Sequence, residues 1–219
     1  MANSQKEQVA SFYEAHHSRG KYDYLYGGED RKELFIKLVG TGKNVLEVGC
    51  RAGNLTQHFA RGNQVVGVDI DRAALKLFEE RLGCKGHWLD VDDEPLPFPD
   101  KAFDVVVFSE VMEHVRFPQK ALGEIRRVLK PGGRLYVFEH NPRNPLVRYV
   151  VSRTKIDENA ILLDPNEVRD NLPVALRQGL DTQYLMFMPP RLSLLRIVDR
   201  LLTWLPLGAQ YAVTASKAA

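Results

Sequence analysis

From Lys43 onward the chain alternates short apolar runs with amphipathic segments, and few folds accept that alternation. Asn44–Val48, Gln64–Val68, His87–Leu89, Phe103–Phe108 and Arg134–Phe138 are predicted strands, with Leu55–Ala60, Arg72–Arg81 and Pro118–Leu129 as helices between them. Parallel strands need crossover connections, and helices supply them. The runs VVGVD, ending at Asp69, and DVVVF, ending at Phe108, are apolar at consecutive positions, as in strands covered on both faces. The pattern therefore predicts an α/β, Rossmann-like, doubly wound sheet, mostly parallel, with helices on both faces.

The flanking regions complete one expected domain over residues 1–219, a mass of 24.9 kDa. Residues 1–40 are expected to form a helical cap, 41–140 a ligand-binding core and 141–219 the side facing a second ligand. Beyond Asn141, Asn144–Arg153 and Pro165–Gln178 are predicted helices, and Gln183–Met188 and Ala209–Ala215 are predicted strands. With 30 Lys and Arg against 28 Asp and Glu, the net charge of +2 gives no field for gripping nucleic acid. The two cysteines, Cys50 and Cys84, exclude a disulfide framework. No apolar segment of signal-peptide or membrane-span length is visible, since Arg196, Asp199 and Arg200 interrupt the greasiest run. A cytoplasmic protein with no stable membrane insertion is expected.

The stretch from Asn44 to Asn54 carries the most chemistry. A buried strand enters a tight turn at Gly49-Cys50-Arg51-Ala52-Gly53, where a ligand can approach the backbone closely. A dinucleotide fingerprint would need glycine at Arg51 and Asn54, so that pattern fails. Glu47, two residues before Gly49, would repel a pyrophosphate and favour a cationic ligand such as a sulfonium. Asp69 follows Gly49 by 20 positions at the end of the second strand, where doubly wound folds place a carboxylate on a ribose diol. Asp90 follows the third strand and can accept from an adenine amine, with Ile70 and Val91 on either side of the ring. Singly, each has a plainer use: Gly49 and Gly53 as turn residues, Asp69 as a helix cap, Asp90 as a loop carboxylate. Their joint spacing favours a nucleoside site. Asp92, Asp93 and Glu94 are expected to be solvated loop charges.

Five ordered blocks then matter together: LEVGCRAG at 46–53, VVGVDID at 65–71, LDVDDEPLPFPDKAFDVVV at 89–107, SEVMEHV at 109–115 and RVLKPGGRL at 127–135. Through them the chain resembles the class I S-adenosylmethionine-dependent methyltransferases. The resemblance implies a seven-stranded sheet whose last strand is antiparallel. It also implies S-adenosylmethionine held by Glu47, Gly49, Cys50, Arg51, Gly53, Asp69, Ile70, Asp90, Val91 and Ser109. Arg51 departs from the family, many members having glycine there.

Ser109–His114 follows the fourth strand and Glu139–Asn141 the fifth, at the strand ends where open α/β sheets bind ligands. His114 and His140 are the candidate catalytic proton acceptors, because imidazole titrates near neutrality. An enzyme is therefore expected, transferring a methyl group to a small-molecule acceptor, with oxygen favoured as the acceptor atom. A non-catalytic S-adenosylmethionine-binding sensor or assembly protein is the alternative. Glu110, Glu113 and His114 also resemble the metal-binding element of ubiquinone-biosynthesis and small-RNA O-methyltransferases, with His140 as a further ligand. A bracing role for these side chains is favoured over a divalent metal. Tyr13, Tyr22 and Tyr26 are lid candidates, though ordinary packing explains them as well. The apolar residues of 192–205 fit packing against the sheet or against a second copy in a homodimer, with a lipid-linked acceptor as the rival.

Overall fold

The computed structural model describes residues 7–8, 10–12, 29–154, 160–187 and 201–219. The N-terminal tyrosines and most of the 192–205 run lie outside these residues. Seven strands, β1 (Asn44–Val48), β2 (Gln64–Asp69), β3 (Lys85–Trp88), β4 (Phe103–Ser109), β5 (Leu129–His140), β6 (Gln178–Leu185) and β7 (Gln210–Ser216), form one sheet in the order β3-β2-β1-β4-β5-β7-β6. The first five run parallel, and β7 is antiparallel to both of its neighbours. Helices among the described residues include α1 (Glu29–Val39), α2 (Arg72–Leu82), α3 (Pro118–Val128), α4 (Pro145–Val151) and α5 (Pro165–Asn171). No helix among the described residues is long and apolar enough to cross a membrane.

Side-chain alternation along the strands builds two cores. Leu46, Val48, Val106, Phe108, Leu135 and Val137 face one way, against Leu122 and Ile125 of α3 and Val168 of α5. Val45, Val105, Val107, Tyr136 and Phe138 face the other, against Phe35 and Val39 of α1. Helices thus cover both faces, and each large buried side chain contributes about 1.5–3 kcal/mol. α2 begins at Asp71, whose carboxylate accepts from the Ala74 N–H at 2.9 Å, and it stops at Gly83 in the left-handed region.

Several elements differ from the sequence expectation. The helix predicted over Pro165–Gln178 ends at Asn171, and a tight turn at Val174–Leu176 leads straight into β6. β3 starts at Lys85, two residues before His87, and stops at Trp88. The predicted helix at 55–60 is a single tight turn, Thr56–His58, because Thr56 is buried and its hydroxyl donates to Glu47. β5 begins earlier than Arg134: Leu129 pairs with Phe103, and the register then shifts so that Arg134 meets Val105. Gly132 and Gly133 accommodate this bulge. β6 starts at Gln178 and ends at Leu185; as an edge strand with little buried surface, it lacks the apolar run that marks its neighbours.

Gly67 in the middle of β2 is where α2 and the glycine turn meet. A Cβ there would stand 2.5 Å from Cys50 Sγ and 2.8 Å from Phe78 Cζ. Gly67→Ala is expected to lower the unfolding free energy by about 1–3 kcal/mol through overpacking, measured by urea denaturation.

Candidate active site

The glycine turn is held by the strands beneath it. The N–H groups of Gly49 and Cys50 both donate to the Val68 carbonyl, at 2.8 and 3.2 Å. The Arg51 N–H donates to Asp69 Oδ2 at 2.7 Å, and the Asp71 N–H to Oδ1 at 2.9 Å. These bonds consume the amides that a phosphate cradle would present, so the turn does not offer a row of N–H donors to a pyrophosphate. Gly49 and Gly53 take positive φ of 76° and 78°, and a Cβ on either would collide, with Val111 and Leu82 respectively. Arg51 is also left-handed, at φ 48°. Relieving it with Arg51→Gly is expected to raise stability by about 0.5–1 kcal/mol, measured by the same denaturation.

Acidic side chains occupy three adjacent strand tips. Glu47, Asp69 and Asp90 are all buried, at the ends of β1, β2 and β3. Burial raises the Asp90 pKa, partly offset by the Asp92 N–H that donates to its Oδ1 at 2.9 Å. Ile70 and Val91 are half-buried beside these tips. The Ile70 carbonyl is fixed by the Trp88 indole N–H at 2.8 Å, and the Arg72 guanidinium lies 3.7 Å from the centroid of that indole.

Across β1, the ends of β4 and β5 carry a second group. Glu113 is buried, with Oε1 2.7 Å from His140 Nδ1 and 3.8 Å from His114 Nε2. A carboxylate on Nδ1 selects the tautomer in which Nε2 is the proton-accepting nitrogen. Burial pushes the His114 pKa down; Glu113 opposes that, while the charges of His140 and Arg51 add to it. Arg51 thus brings the glycine turn within electrostatic reach of the histidines. Glu139 is fully buried and accepts from the N–H groups of Val111 and Met112 at 3.2 and 2.9 Å. Its pKa stands well above the ordinary 4.5, first from burial and then from the charge of Glu113.

Most of the expected site residues gather here. Glu47, Gly49, Cys50, Arg51, Gly53, Asp69, Ile70, Asp90 and Val91 lie on or beside the tips of β1 to β3, and Ser109 ends β4. His114 and His140 both stand by Glu113. Asp92 is a correction: it is buried, not solvated, and accepts from the N–H groups of Arg116 and Phe117, both at 3.1 Å, and from Arg116 Nε. It ties the loop after β3 to the start of α3. Among the described residues no group of three or more His, Cys, Asp or Glu side chains is arranged to hold a metal ion. Glu110 instead accepts from Gln210 Nε2 at 2.5 Å, and Glu113 serves His140. The sequence places Glu113 and His140 together only as candidate ligands of one metal; the structure makes them a direct carboxylate–imidazole pair, both following apolar runs that end as parallel neighbours.

Comparison with known proteins decides the family. Residues 46–137 match the model of the Methyltransferase domain family. The ubiquinone/menaquinone biosynthesis C-methyltransferase UbiE of Ectopseudomonas mendocina is 40% identical over 166 residues, 67% of this chain and 64% of that protein. The core of this chain belongs to the S-adenosylmethionine-dependent methyltransferases. Among solved structures, a possible histamine N-methyltransferase from Thermotoga maritima superposes with a TM-score of 0.74 at 18% identity, covering 94% of this chain and 99% of the other. Phosphoethanolamine N-methyltransferase 2 of Haemonchus contortus, in complex with S-adenosyl-L-methionine, gives 0.67 at 18% identity, covering 96% of this chain and 60% of that one. The chain spans 64% of the length of its UbiE relative.

In this methyltransferase core the raised pKa of Glu139 makes the folded state keep its proton to higher pH than the unfolded chain does. Above about pH 4.5 the unfolded state binds fewer protons there than the folded state, so stability falls as pH rises toward the folded pKa. Glu139→Gln keeps an acceptor for both backbone N–H groups without the charge. It is expected to flatten that part of the curve and to be the more stable form at neutral pH, as urea midpoints across a pH series would report.

Proposed function

We propose that this chain transfers a methyl group from S-adenosylmethionine to a ring carbon of a small phenol or quinol. The observation that carries the reading is the buried Glu113–His140 pair at the ends of β4 and β5, beside the glycine turn. The UbiE relative is a C-methyltransferase of ubiquinone and menaquinone biosynthesis, and this moves the favoured acceptor atom from oxygen, which the sequence alone favoured, to carbon.

The acidic tips suit the methyl donor better than a dinucleotide. Asp69 is assigned to the ribose diol and Asp90 to the adenine amine, with Ile70 and Val91 on either side of the ring. The turn from Gly49 through Cys50 and Arg51 to Gly53 is assigned to the methionine end, with Glu47 below and Ser109 alongside. When bound, the donor supplies an electrophilic methyl group on a positively charged sulfur.

A phenol carbon becomes a competent nucleophile when the neighbouring hydroxyl loses its proton. His140 Nε2 takes that proton, and the Glu113 carboxylate stabilises the imidazolium, as carboxylate–histidine pairs do elsewhere. The new C–CH3 bond forms as the S–CH3 bond breaks, its electron pair staying on sulfur as a neutral thioether. The His140 imidazolium then returns its proton to the oxygen, and the freed imidazole accepts the hydrogen of the methylated carbon as a proton, which restores the aromatic ring. Residues 141–219 provide the acceptor side, and burial of the pair limits competition from water.

Calorimetry with S-adenosylhomocysteine and a mass-spectrometric assay on a panel of simple phenols and quinols test this. Binding together with a carbon-methylated product is expected. Asp69→Asn should weaken binding about ten- to a hundredfold. Glu113→Gln and His140→Gln should each lower kcat about a hundredfold or more while leaving that binding in place. Oxygen-methylated product alone would return the acceptor atom to oxygen, and binding without any transfer would make the chain a sensor.

A further inference from the structure

The helix that follows β5 is apolar on two sides. In α4, Val147 and Val151 point inward and are buried, while Leu146, Tyr149 and Val150 face outward, Leu146 68% and Tyr149 60% exposed. A surface helix ordinarily turns polar residues outward. Here the outward stripe 146, 149, 150 and 153 ends in Arg153, whose guanidinium lies 5.4 Å from the Tyr149 ring centroid. The segment before β7 is tied to the start of the same helix. Asn144 Nδ2 donates to the Leu207 carbonyl at 2.8 Å, and Asn141 Nδ2 donates to those of Pro206 and Gly208. These bonds seat the segment against the start of α4 and bring in Leu207, 52% exposed, and Trp204, 71% exposed. Exposed apolar residues gathered in this way mark an interaction surface.

The charge on this surface has one sign. Residues 144–154 and 201–210 contain Arg148 and Arg153 and neither Asp nor Glu. Both arginines are exposed. A second copy docked about a two-fold axis would set this cationic patch against itself, with no carboxylate in either segment to answer it.

We propose that α4 and the 201–208 segment form an interfacial docking face for an anionic lipid bilayer. Leu146, Tyr149, Trp204 and Leu207 enter the headgroup boundary, and Arg148 and Arg153 meet the lipid phosphates. The face adjoins Asn141, the residue after His140, so an acceptor dissolved in the bilayer reaches the histidine without crossing bulk water. That last consequence rests on the proposed reaction; attachment to the bilayer does not.

Flotation of the full chain with vesicles tests the face. The protein is expected to float with mixed phosphatidylcholine–phosphatidylglycerol vesicles, to float poorly with phosphatidylcholine alone, and to be released by salt. Trp204 emission should move to the blue on attachment, read in a Trp88→Phe background. The double variant Leu146→Ser/Tyr149→Ser, and separately Trp204→Ser, should lower partitioning about tenfold with an unchanged unfolding midpoint. Absence of flotation, binding indifferent to these variants, or a dimer in sedimentation that the variants dissolve would each overturn the proposal. Methyl transfer to a water-soluble phenol is a separate readout, which the double variant should leave intact. Were the wild-type chain to transfer no methyl group at all, the reaction would be refuted and flotation would still decide the face.

Discussion

A carboxylate taken out of water at the end of a strand is costly unless the backbone satisfies it, and the fold around Asp69 is organised to do so. Its two oxygens collect the amide of Arg51 from one loop and that of Asp71 from another. One side chain on β2 therefore sets the path of the chain leaving β1 and the entry into α2. The left-handed Arg51 is tolerable in this setting, because its N–H has a charged acceptor waiting. The position of the turn, and with it the assigned donor site, follows from that pair of bonds.

The histidine side of the sheet obeys the opposite rule. Burial raises the Glu139 pKa, and the neighbouring charge of Glu113 raises it further. Glu139, deepest in the sheet and bonded to two amides, is the one pushed toward its neutral form. Glu113 is left to serve His140. Two carboxyls with different surroundings thereby take different tasks, one bracing the loop after β4 and one orienting an imidazole.

Much of this was legible in the residues. β1, β2 and β4 were read to within one position because each is apolar on both faces, and the end of β2 falls on the acid that the spacing from Gly49 singled out. β6 was displaced because an edge strand has only one side to bury, so QGLDTQYL carries no clear run. Asp92 was misread for a related reason. Nothing in the acidic string 92–94 tells which carboxylate will meet the amides of residues 116 and 117, a match fixed by tertiary placement alone. The Glu113–His140 contact spans 27 residues and depends on the β4–β5 register, including a bulge that local sequence does not specify.

The position of β7 has a consequence for how the molecule assembles. β6 precedes β7 in the chain but touches the rest of the sheet only through it. Until residues 210–216 have left the ribosome, β6 has nowhere to dock and β5 keeps an open, strongly apolar edge. Pairing of β7 with β5 therefore does two things at once: it closes that margin and creates the edge on which β6 docks.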